Sequence, residues 1–120
     1  TYAYKGVNFY GAPWIPDLHG QAFFKREAEL QTIWTDIPAN THVLITHSPP
    51  ADILDVSSKG MALGCQWLCK ALDDLALKLH CFGHVHAGSG SAEIDSMTFI
   101  NAALANREYQ LARGPYEFHL

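Results

Sequence analysis

The sequence predicts an α/β domain organised around parallel strands, and three observations carry that prediction. The runs Val43-Leu44-Ile45-Thr46-His47 and Leu79-His80-Cys81-Phe82-Gly83-His84-Val85-His86 begin as short apolar segments, as buried strands do, and each hands histidine to the loop beyond. Between them, Cys65, Leu68, Cys69, Leu72, Leu75 and Ala76 fall on one helical stripe, with Gln66, Lys70, Asp73 and Asp74 opposite. Strand, loop, helix and strand over residues 42–83 make a crossover unit, the connection that joins parallel strands.

The remaining elements follow in order. Val7 to Ala12 reads as a short strand, which Pro13-Trp14-Ile15-Pro16 ends. A helix is expected over about Lys25 to Trp34, with Phe23, Leu30 and Trp34 on one face, closed by Asp36-Ile37-Pro38-Ala39-Asn40. The strand His42–Thr46 follows, then a long loop from Ser48 to Leu63, the helix Cys65 to Ala76 and the strand Leu77–Phe82. Ala92–Asp95, Met97–Asn101, Glu108–Leu111 and Glu117–Leu120 read as short strands with antiparallel pairing.

At 120 residues and 48% hydrophobic, the chain is large enough for one core. A net charge of −4 without a basic run argues against a broad nucleic-acid surface. No stretch approaches the roughly 20 apolar residues of a membrane span. Three cysteines at no framework spacing suggest a reduced, cytoplasmic setting. The chain opens at Thr1, which reads as part of a longer protein.

Parallel strands finish at one sheet edge, where open α/β sheets place their ligands. His47, His84 and His86 would meet there, and in extended backbone His84 and His86 would point to one face. Imidazoles so placed suit zinc, iron or manganese and do not select among them.

Thr46-His47-Ser48-Pro49-Pro50 and Gly83-His84-Val85-His86 resemble the last two motifs of the calcineurin-like metallophosphoesterases. Gly11-Ala12-Pro13-Trp14-Ile15-Pro16, Gly64-Cys65 and Phe99-Ile100-Asn101-Ala102 resemble one branch, the small metallophosphoesterase-domain proteins akin to cyclic-nucleotide phosphodiesterases. The resemblance implies that residues 1–120 are the C-terminal part of one such domain, a two-sheet β-sandwich flanked by helices. It implies two divalent metal ions (Mn, Fe, Zn or similar), with His47 and His84 on the second and His86 on the first. It also implies a hydroxide, activated by both metals, that hydrolyses a phosphoester, nucleotides included, with a diester slightly favoured over a monoester.

The family's Asp-x-His, Gly-Asp and Gly-Asn-His motifs are absent, so the missing N-terminal half must supply them and the isolated chain is expected to be inactive. Asp17-Leu18-His19-Gly20 imitates the first motif, but after Pro13, Trp14 and Pro16 it reads as a surface turn, with His19 near the rim. Cys65, Cys69, Cys81 and nearby histidines offer an alternative structural zinc site, against which stands the packing of both helical cysteines on an apolar stripe. A non-catalytic scaffold binding a nucleotide or protein stays open. Asp52 and Asp55 read as solvated loop carboxylates, His80 as structural, Asn101 as a brace for the histidine loops, and Trp14 and Trp67 as packing residues. Lys59 lies in a polar rim loop.

Overall fold

The computed structural model describes all 120 residues. Its centre is one six-stranded sheet, built from β1 (Tyr2–Tyr4), β2 (Val7–Ala12), β3 (Val43–Thr46), β4 (Leu79–Phe82), β5 (Gly90–Ile94) and β6 (Met97–Asn101). The spatial order is β1-β2-β3-β4-β6-β5. The four inner strands β2, β3, β4 and β6 are parallel, and each edge strand is antiparallel to its neighbour. The predicted crossover is therefore present, with Val43 opposite Leu79 and Ile45 opposite Cys81.

Two positive-φ turns close the hairpins at the edges. Lys5 (φ 47) and Gly6 (φ 79) join β1 to β2, while Asp95 (φ 48) and Ser96 (φ 66) join β5 to β6. Such paired left-handed residues match the natural twist of a two-residue hairpin. β1 was not expected, because Tyr2-Ala3-Tyr4 is an exposed edge segment without apolar alternation. β6 has the expected bounds. The expected strands Glu108–Leu111 and Glu117–Leu120 do not form. Asn106–Gln110 is instead a tight turn, in which the Asn106 side chain accepts from the Glu108 and Gln110 amides (3.0 Å each). Gly114-Pro115 then keeps the tail irregular.

Both helices lie on one face of the sheet. Helix α1 (Glu27–Thr35) starts where Glu29 accepts from the Arg26 amide (3.1 Å), half of a capping box. Helix α2 (Gln66–Leu72) is shorter than the stripe suggested. Asp73 and Asp74 place negative charge at the negative end of the helix dipole, and the chain turns there toward β4. Leu30, Trp34, Leu68 and Leu72 pack on Leu44, Phe82 and Phe99 to form the main core. The opposite face carries a smaller cluster of Val43, Leu79 and Ile100, touched by Phe9, Cys81 and the tail residue Phe118. The chain thus forms one sheet with helices on one side, and the expected second sheet does not form within it.

Candidate metal-binding edge

The carboxyl ends of β2, β3 and β4 create the candidate site. At the tip of β3, the Thr46 hydroxyl donates to the Ser48 carbonyl (2.8 Å) and so must accept from His80 Nε2–H (2.9 Å). These bonds bracket His47 from both sides. The Gly83 amide then donates to the His47 carbonyl (3.0 Å), tying the two strand tips together. The His47 and His84 rings lie with centroids 5.0 Å apart. Partial burial lowers the His47 pKa below the ordinary histidine value, the neighbouring His84 lowers it further, and Asp17 opposes both.

His84 leaves the extended path. Its φ of 66° is left-handed, a conformation that costs a non-glycine residue energy and collects at functional positions. His86 then opens a 3₁₀ turn, His86–Gly88. The expectation that His84 and His86 share a face through strand alternation is therefore corrected: the backbone turns between them. They still line one cleft of about 210 Å³, together with Ser57, Ser58, Arg107 and Tyr109.

Each of these two imidazoles has one nitrogen committed to a protein acceptor. His86 Nδ1–H donates to the Asn106 carbonyl (3.0 Å), and its ring stands edge-on to Tyr109. His84 Nε2 lies 3.1 and 3.0 Å from the two carboxylate oxygens of Asp17. Leu18, His19 and Gly20 are exposed in a turn, as expected, but Asp17 itself is half-buried and its contact with His84 was not anticipated. The loop that carries Asp17 is closed by the Ile15 amide on the Phe23 carbonyl and the Lys25 amide on the Ile15 carbonyl (3.0 Å each). A topological signal was available, because β2 is parallel to β3 and its exit loop emerges beside His47.

The loop from Ser48 to Leu63 is held by a carboxylate. Asp55 is buried, and its Oδ2 accepts from the Asp52 (3.2 Å) and Gly64 (3.1 Å) amides, so it is no solvated loop residue. A Cβ at Gly64 would overlap the Pro50 carbonyl and this carboxylate, which explains a glycine before Cys65. Asn101 is the expected brace: fully buried, it donates to the Leu54 (3.0 Å) and Val85 (2.9 Å) carbonyls and so joins the long loop to the histidine loop. His80 is buried on the core face between Phe82 and Phe99. Trp14 and Trp67 pack against the core, and Lys59 is exposed.

The structural zinc alternative fails on geometry. Cys65 belongs to the helix-side core and receives the Trp34 indole N–H (3.3 Å), whereas Cys81 lies on the opposite face of the sheet. Burial also raises the pKa of the Cys69 and Cys81 thiols, away from the thiolate that zinc needs. No group of three or more His, Cys, Asp or Glu side chains converges closely enough in this chain to hold a metal ion. The histidines fit a metal site as part of a donor set, since each of His84 and His86 keeps one ring nitrogen beyond the one a protein acceptor claims.

Comparisons with known proteins bear on the family and on the fold. No protein-family model matches the chain. A UPF0046 protein of Caenorhabditis elegans is 38% identical over 116 residues, covering 96% of this chain and 39% of that protein. The human metallophosphoesterase domain-containing protein 1 is 35% identical over 114 residues, covering 92% of this chain and 35% of its own length. The chain is related to the metallophosphoesterase family. It spans less than two-fifths of the length of these two family relatives. A solved structure at 15% identity superposes with a TM-score of 0.59, over 85% of this chain and 43% of the other, a likeness of fold. As expected, the chain is a mixed α/β unit. No helix is long and apolar enough to cross a membrane.

Proposed function

We propose that the complete protein is a metal-dependent phosphoesterase, and that residues 1–120 are the C-terminal part of its catalytic domain. The observation that carries this reading is the arrangement of His47, His84 and His86 at the carboxyl edge of a parallel sheet, with His84 and His86 each oriented by a protein acceptor. His47 and His84 would hold one divalent ion and His86 the other, completed by carboxylate and amide ligands from outside this chain. When bound, two such ions lower the pKa of water and neutralise charge on the phosphoryl oxygens.

The chain's own residues position the substrate. The cleft beside His84 and His86 is lined by Ser57 and Ser58, whose hydroxyls would meet phosphate oxygens, and by Arg107, whose Nε pairs with Glu108 (2.8 Å) and whose terminal nitrogens remain for an anion. Tyr109 stands at the same rim beside the His86 ring. A phosphodiester is favoured slightly over a monoester as substrate, with nucleotides within the class, and a cytoplasmic setting fits the free thiols. Because no three donors converge within the chain, the isolated 120 residues should bind metal poorly and lack activity. Robust Mn²⁺-dependent diester hydrolysis by the chain alone would contradict this.

The decisive experiment is His84→Ala in the complete protein. One metal position should empty and turnover should fall at least as far as loss of one oxyanion donor costs, about 100-fold. Unchanged metal stoichiometry and rate would refute the assignment and favour a non-catalytic scaffold.

A further inference from the structure

We infer that Asp17 is a positioning residue for His84: it fixes the ring as the Nε2–H tautomer and leaves Nδ1 as the ligating atom. The value of this to the protein rests on the metallophosphoesterase reading, whereas the tautomer itself does not. Sequence spacing offers no hint of the contact, since Asp17 and His84 lie on different loops at the two sides of β3.

Four observations support it. The first is the geometry: both Asp17 oxygens are within 3.1 Å of one nitrogen, so the carboxylate is aimed at Nε2 and not passing near it. The second is burial: the His84 side chain is 12% exposed and that of Asp17 25%, so the bond is partly withdrawn from water and is stronger than a surface pair. The third is rigidity at both ends. Asp17 sits on a loop closed by backbone bonds from Ile15 and Lys25, and His84 is held at positive φ between two bonded neighbours, with Gly83 on the His47 carbonyl and the Val85 amide on the Gly83 carbonyl (2.7 Å). The fourth is the parallel with His86, whose Nδ1–H is taken by the Asn106 carbonyl. Both histidines thus have one N–H claimed by the protein, which is how metal-ligating imidazoles are oriented and held in one tautomer. The two rings leave opposite nitrogens free of protein acceptors, Nδ1 of His84 and Nε2 of His86.

The test uses the complete protein in two states. In the metal-free protein, imidazole nitrogen NMR in mildly alkaline buffer should show His84 as the Nε2–H tautomer. Asp17→Ala should turn this into a mixture, and Asp17→Glu should restore it in part. In the second state, Mn²⁺ affinity should fall about 10- to 100-fold in Asp17→Ala, with the thermal midpoint and the other metal position preserved. A His84 tautomer that is unmoved by Asp17→Ala overturns the inference, as does an Mn²⁺ affinity that is unchanged or higher, the latter showing that Asp17 competes with metal. Should the wild-type protein take up no Mn²⁺ while the tautomer still depends on Asp17, the positioning of the ring by Asp17 stands, and the ligating role of Nδ1 falls together with the phosphoesterase reading.

Discussion

The two faces of the sheet differ sharply although the same strands build both. On β3, Leu44 points toward the helices and has no exposed surface, while its neighbour Ile45 points the other way and is 49% exposed. Under α1 and α2 the chain closes a continuous core from Ala12 to Phe99. On the far side only the tail reaches over, and a groove of about 290 Å³ remains between Leu79, Cys81 and Ile100 on the sheet and Tyr116 and Phe118 on the tail. Parallel strands are ordinarily covered on both faces. The difference locates stability on the helix side and leaves the other face and the histidine edge more open to water.

The largest effect should come from breaking the closed face. Leu44→Ala should cost about 2–5 kcal/mol, the usual range for emptying a packed leucine site. Ile45→Ala, one residue away, should cost under about 1 kcal/mol in this chain, because half of its surface is already in water. Urea denaturation of both variants measures the gap. Equal costs would mean that the far face is covered in solution, by a second copy or another segment.

A second, smaller loss sharpens the comparison at the edge between the two faces. Asn101→Ala removes the donor shared by the Leu54 and Val85 carbonyls and the acceptor of the Ala103 amide (3.2 Å), leaving buried groups unpaired. The expected cost is about 1–3 kcal/mol. Hydrogen exchange should also rise in the 48–63 loop and around His86 more than in α1 or α2. Uniform loosening would show that Asn101 serves the core and not the site.

How much of this was legible in the sequence depended on the range of the signal. The crossover from β3 through α2 to β4 is written in short-range pattern, with apolar runs and a helical stripe. So is Met97–Asn101. Where the deciding contact is distant, the pattern failed. Asp55 looks like any loop carboxylate until the loop folds back and presents the Gly64 amide to it. Asp17 meets His84 only because parallel pairing brings the exit of β2 to the histidine edge. Strand parity failed at His84 for a local reason, since one left-handed residue cancels alternation. β1 gave no apolar pattern because an exposed edge strand buries nothing. The three histidines were legible as candidates, since they stand where two apolar runs stop. The arrangement of their ring nitrogens was not, because it is set by Asp17 and Asn106 from other loops.

The last effect builds gradually with pH and concerns a charge that the closed face refuses. His80 lies fully buried between Phe82 and Phe99, its Nε2–H bonded to Thr46 and its Nδ1 without a partner. Burial pushes its pKa down from 6.5 to about 3. The unfolded chain therefore binds a proton that the folded chain refuses, and stability must fall as pH falls below about 6.5, continuing until about pH 3. The loss over the first pH unit of that window should be about 1 kcal/mol, since one full pK unit corresponds to about 1.4 kcal/mol. His47, whose pKa is also lowered, adds to the slope with the same sign. Denaturant midpoints measured at steps through this range should show the slope, and His80→Gln, which retains an N–H donor for Thr46 and cannot titrate, should remove the larger part of it. A slope that survives His80→Gln intact would show that the imidazole is protonated in the folded protein. The space between Phe82 and Phe99 would then admit water, and the contrast between a dry helix-side face and an open far face would not hold at its centre.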